Sequence, residues 1–80
     1  MELILTFKNT NYAIQAEQTL LERGVKVKVM PLPSVIRAGC GICLRITEEN
    51  GVIAQQILEE IGVSVEEIYT SNYVIWGGQG

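Results

Sequence analysis

The sequence predicts an α+β domain, a ferredoxin-like β-α-β-β-α-β plait with an antiparallel sheet and two helices on one face. Two stretches with helical spacing each stop at a glycine, Gly24 and Gly62. Each is bracketed by runs of apolar or alternating, β-inclined residues. Right-handed crossovers in both halves then put the two helices on the same side of the sheet.

Glu2-Leu-Ile-Leu-Thr-Phe7 is apolar and unbroken, a strand buried on at least one face. Thr10 or Asn11 can cap the helix that follows, in which Ala13, Ala16 and Leu20, flanked by Ile14 and Leu21, share one side. Val25-Lys-Val-Lys-Val29 alternates strictly, the pattern of a half-buried strand, and Met30-Pro-Leu-Pro33 ends it because proline cannot donate to a ladder. Ser34 to Gly39 reads as a connecting loop. Ile42-Cys-Leu-Arg-Ile46 alternates again, with Ile42, Leu44 and Ile46 on one face and Cys43 and Arg45 on the other. Thr47 or Glu48 opens the second helix, with Ile53, Ile57, Leu58 and Ile61 inward, and Val63 to Tyr69 forms the last strand. By parity, the face without helices carries Lys26, Lys28, Cys43 and Arg45 as one exposed surface. The domain spans residues 1–70. Residues 71–80 form a C-terminal tail, whose Tyr73-Val-Ile-Trp76 suits an extra strand or an interface.

Composition narrows the chemistry. At 80 residues, with 48% hydrophobic and 19% charged side chains, the chain makes one small domain for which oligomerisation is a natural supplement to stability. A net charge of −3 argues against polyanion binding. The plait's RNA readers present stacking aromatics on the central strands; the open face expected of the first and third strands offers none, so no nucleic-acid partner is expected. No apolar run approaches a membrane span and no signal peptide precedes the first strand, which points to the cytoplasm without membrane attachment. Histidine is absent, which excludes imidazole-based triads and the commonest metal ligand. Two thiolates alone complete only half of a tetrahedral zinc site. No metal or other cofactor is expected. The adjacent acids Glu48/Glu49, Glu59/Glu60 and Glu66/Glu67 read as solvated positions, not as a catalytic dyad. A terminal sulfur-carrying carboxylate is disfavoured by the strand order and by the ending Gly77-Gly-Gln-Gly80.

The remaining chemistry lies in Gly39-Cys40-Gly41, followed by Cys43. An ordinary cysteine, with a pKa of about 8.5, is only about 3% thiolate at pH 7. Gly39 and Gly41 lack side chains, so their N–H groups can approach a sulfur or an anion closely. Arg37 offers a positive charge and Ser34 a hydroxyl donor. An extended chain from residue 40 to 43 would hold the two Cα atoms about 10 Å apart, beyond the ~7 Å limit for a disulfide; a bridge requires a turn at Gly41. Both cysteines also suit a structural reading, as small buried hydrophobes.

Pro31-Leu-Pro33 followed by Ala38-Gly-Cys-Gly-Ile42 resembles the hallmark of the putative selenium/sulfur carrier protein-like family, and the resemblance runs from the first strand to about Tyr69. It implies that Cys40 is the carrier thiol, holding sulfur or selenium as a persulfide or selenosulfide. Two positions depart from the pattern. Ser34 stands where the family usually has a basic residue, and Cys43 stands where a small residue such as alanine is common, which makes Cys43 the candidate resolving thiol. Sulfur or selenium donor and acceptor proteins are the implied partners, with Lys26, Lys28 and Arg45 as candidates to orient an acidic one. Such a protein is a carrier or accessory protein more than an independent enzyme. The competing expectation is a non-catalytic ligand-binding or homo-oligomeric assembly module with structural cysteines.

Overall fold

The computed structural model describes residues 2–33, 36, 39 and 41–70. Four strands and two helices follow in the order β1 (Glu2–Thr6), α1 (Thr10–Glu22), β2 (Lys28–Pro31), β3 (Ile42–Thr47), α2 (Gly51–Glu60) and β4 (Glu67–Thr70). The sheet order is β2-β3-β1-β4, and every neighbouring pair is antiparallel. This is the ferredoxin-like plait, with β1 and β3 central and β2 and β4 at the edges.

The helices begin where local chemistry permits. Asn9, one residue before the expected caps, is the N-cap of α1; its side-chain oxygen accepts from the Tyr12 N–H at 2.9 Å. Ala13, Ala16 and Leu20 are buried as expected, whereas Ile14 and Leu21 are 41% and 50% exposed. The second helix starts later than its sequence suggests. A 3-10 turn over Glu48–Asn50 precedes it, and its buried side is Gly51, Ala54, Ile57 and Leu58. Ile53, expected inward, is about half exposed. Small residues win this face because they let the helix approach the sheet. A Cβ on Gly51 would lie 2.7 Å from Leu3 Cδ1.

The main core lies between helices and sheet. Leu5, Phe7, Leu44 and Ile46 meet Ala13, Ala16, Leu20, Ala54 and Leu58 there, with Val25 and Val63 sealing the helix exits. The second strand is displaced from its expected place. Val25 belongs to the core, Lys26 lies before the strand, and pairing begins at Lys28. Pro31 remains in β2, opposite Ile42. An edge strand tolerates it, since a ladder on one side only does not need every N–H. The fourth strand is likewise shorter than Val63–Tyr69, because Val63 and Val65 pack with the core before pairing starts.

The face without helices is not bare, contrary to the parity argument. Ile36, in the connection from β2 to β3, is buried there against Ile4 and Cys43, with Met30, Leu32 and Tyr69 packed around them. Alternation correctly separates Cys43 from Leu44, but it cannot see that a loop returns over the far side.

Candidate functional site

Cys40, Arg37 and Ser34 lie outside the described residues, as does the tail 71–80. The two glycines beside Cys40 are described, and they are glycines for different reasons. Gly41 has φ +69°, the left-handed region that a side chain disfavours, and nothing lies within 4 Å of where its Cβ would be. Its carbonyl accepts from the Leu32 N–H at 3.3 Å, tying the loop's exit to the end of β2. Gly39 is instead a close approach. A Cβ there would overlap the backbone carbonyl oxygen of Lys8 and lie 3.2 Å from its carbon. Gly39 thus lies against the backbone between β1 and α1, and Gly41 is tied to the end of β2.

That anchorage has electrostatic content. Lys8 directly precedes the Asn9 cap, and the first turn of α1 contains no acidic residue. The positive end of the helix dipole is therefore not offset by a carboxylate of its own turn. A depression of about 220 Å3 opens at this end of the molecule, bounded by Lys8, Tyr12, Gly62, Ser64, Val65 and Glu66. Lys8, Tyr12 and Ser64, which line it, belong to no motif in the sequence. Their one available signal was position: Lys8 and Tyr12 straddle the β1–α1 junction, and Ser64 follows the glycine that ends α2.

Cys43 is placed otherwise than on an exposed surface. It is 0% exposed, in the second core with Ile4 and Ile36, and its Sγ lies 3.8 Å from the Pro31 carbonyl oxygen. Alternation had given it no core role; the returning loop supplies one. Gly41 itself has a left-handed φ, the turn that a bridge would require, so the extended-chain argument against one does not apply.

The cationic candidates sit elsewhere. Lys28 pairs with Arg45, and Arg45 with Ile4, at the end of the sheet where β1 begins. Arg45 Nε donates to Glu2 Oε1 there. From Gly41 to Arg45 is four strand residues, about 13 Å at 3.3 Å each. Lys26, Lys28 and Arg45 form one group, and Gly39 and Gly41 belong to the opposite end. Among the described residues no group of His, Cys, Asp and Glu could hold a metal, and no helix is long and apolar enough to cross a membrane.

The Escherichia coli (strain K12) protein described as "Uncharacterized protein YtiA" is 28% identical over 75 residues, which is 94% of this chain and 85% of that protein. No solved structure matches. The family model described as "Putative Se/S carrier protein-like" matches residues 2–70, the whole plait. The chain belongs to the Putative Se/S carrier protein-like family.

Proposed function

We propose that the protein carries sulfur or selenium as a persulfide-type adduct on Cys40, between a donor protein and an acceptor protein. The observation that carries the reading is the anchorage of Gly39 on the Lys8 carbonyl, next to a helix N-terminus without acids in its first turn. Thiols near helix N-termini and cations ionise more readily, and the family's description supplies the carrier role. Ser34, Arg37 and the N–H groups of Gly39 and Gly41 are the proposed stabilisers of the thiolate.

The transfer balances without an external oxidant. The Cys40 thiolate attacks the outer sulfur of the donor's cysteine persulfide; a new S–S bond forms, the donor's S–S bond breaks, and the donor leaves as thiolate. The acceptor's nucleophile then attacks the outer atom on Cys40 and returns Cys40 as thiolate. Selenium follows the same course as a selenosulfide. If Cys43 resolves the adduct, its thiolate attacks the Cys40 sulfur, releases hydrosulfide and leaves a Cys40–Cys43 disulfide. That step requires Cys43, buried in the second core with Ile4 and Ile36, to become accessible.

Incubation with a cysteine desulfurase and cysteine, followed by intact-mass spectrometry, tests the proposal. The wild type should gain the mass of one sulfur, reversibly with dithiothreitol, and Cys40→Ser should gain none. No gain on the wild type, or an equal gain on Cys40→Ser, would overturn it.

A further inference from the structure

We propose that the groove at the Lys26–Lys28 end of the plait docks an acidic peptide segment of a partner protein, one that carries an aliphatic anchor. The groove has a volume of about 370 Å3; Leu21, Val27, Ile46 and Thr47 frame it together with Lys26, Lys28, Arg45 and one acid, Glu2. Its floor is apolar and partly uncovered: Leu21, at the end of α1, is half exposed. Its rim sets three cations against the single carboxylate of Glu2, which pairs with Arg45, so Lys26 and Lys28 give it a net positive charge in a chain of net charge −3. Lys26 and Lys28 take part in no ion pair among the described residues, whose salt bridges are Arg23–Glu60 and Arg45–Glu2.

The occupant's chemistry follows from these features. An aliphatic side chain on Leu21 and Val27 would remove apolar surface from water. Carboxylates on either side would meet Lys26 and Lys28 and steer association. The Arg45–Glu2 pair shows that this rim already accepts a carboxylate. A second copy of the chain fits less well, because two-fold packing through this face would bring Lys26 and Lys28 of both molecules together. A basic segment is excluded by the same charges. The site lies at the opposite end of the sheet from the Gly39–Gly41 anchorage and does not depend on thiol chemistry.

The test is selection of random nine-residue peptides displayed on phage against the full-length Cys40→Ser protein, in which thiol capture is removed. The enriched peptides should share two or more Asp or Glu beside Leu, Ile or Val. Their affinity should fall about tenfold on Lys26→Glu/Lys28→Glu and weaken with salt, as expected for rim charges. Leu21→Gln should weaken binding without changing its salt dependence. All three positions are exposed, so circular dichroism should be unchanged. Failure to enrich acidic peptides, or equal binding by the double variant, would overturn the proposal. So would a homodimer, seen by sedimentation, that the double variant dissolves. Because Cys40 is absent throughout, neither result bears on the carrier chemistry.

Discussion

Replacing Gly39 with alanine tests the anchorage of the Gly-Cys-Gly loop. Gly39 is not among the positive-φ glycines, so alanine meets no backbone penalty and the cost is steric. The added Cβ would come closer to the Lys8 carbonyl oxygen than the 3.0 Å that real Cβ atoms respect, and the obstacle is backbone, not a side chain that can swing aside. Overpacking costs about 1–3 kcal/mol, and a backbone obstacle puts it at about 2–3 kcal/mol; the stiffer unfolded chain offsets about 1 kcal/mol of this. The net loss is about 1–2 kcal/mol. With an unfolding entropy of about 2.1 cal/mol/K per residue over 80 residues, Tm should fall by about 6–12 °C. Thermal melting by circular dichroism reads the loss, and the amide resonances of Lys8 and Asn9 should move with it. Gly41 is the internal control. There alanine pays for φ +69° in open space, about 1–2 kcal/mol, and asparagine, which tolerates the left-handed region, should recover part of it. At Gly39, asparagine should be worse than alanine. A Gly39→Ala protein melting within about 3 °C of wild type with unmoved Lys8 resonances, or the same Ala/Asn ranking at both glycines, would refute the close-approach reasoning.

Three further outcomes follow from the same geometry. Asn9→Ala removes the acceptor for the Tyr12 N–H and should cost about 1 kcal/mol, measurable by urea denaturation; Asn9→Asp should retain most of the stability. Ile36→Ala should lose about 2–4 kcal/mol and open the cover over Cys43, so dithionitrobenzoate should label Cys43 much faster in a Cys40→Ser background; unchanged labelling would show that Ile36 is not the barrier. Gly51→Ala sets about 1 kcal/mol of helix propensity against a 2.7 Å approach to the movable end of Leu3, and chemical denaturation should place it within about 1 kcal/mol of wild type.

What could be read from the sequence was whatever repeats along one element. The alternation of Ile42 to Ile46 assigned Cys43 and Leu44 to opposite faces correctly, and the order of elements yielded the plait with its two helices. Boundaries set by competition were harder. Asn9 took the cap from Thr10 and Asn11, and Gly51 and Ala54 took the buried side of α2 from the bulkier Ile53, since close helix–sheet approach is a tertiary effect. Burial of Cys43 was out of reach, because it depends on Ile36, seven residues earlier and in no regular element, folding across the sheet. The candidate thiol was legible as a motif. The reason for Gly39 was not, since Lys8 is remote in sequence and offers only its carbonyl.

The two edges of the sheet differ in a way that bears on how the molecule behaves when crowded. β2 leaves the nitrogen of Pro31 on its open side and exposes Lys28, and a proline has no N–H to offer an incoming strand. β4, from Glu67 to Thr70, contains neither lysine nor proline, and its Ile68 is partly exposed. Among the described residues the sheet therefore has one terminated edge and one receptive edge. Molecules with two receptive edges can add to each other without limit and grow into filaments. With a single receptive edge, the first pairing consumes what a second would need, so stray strand exchange ends at a closed pair.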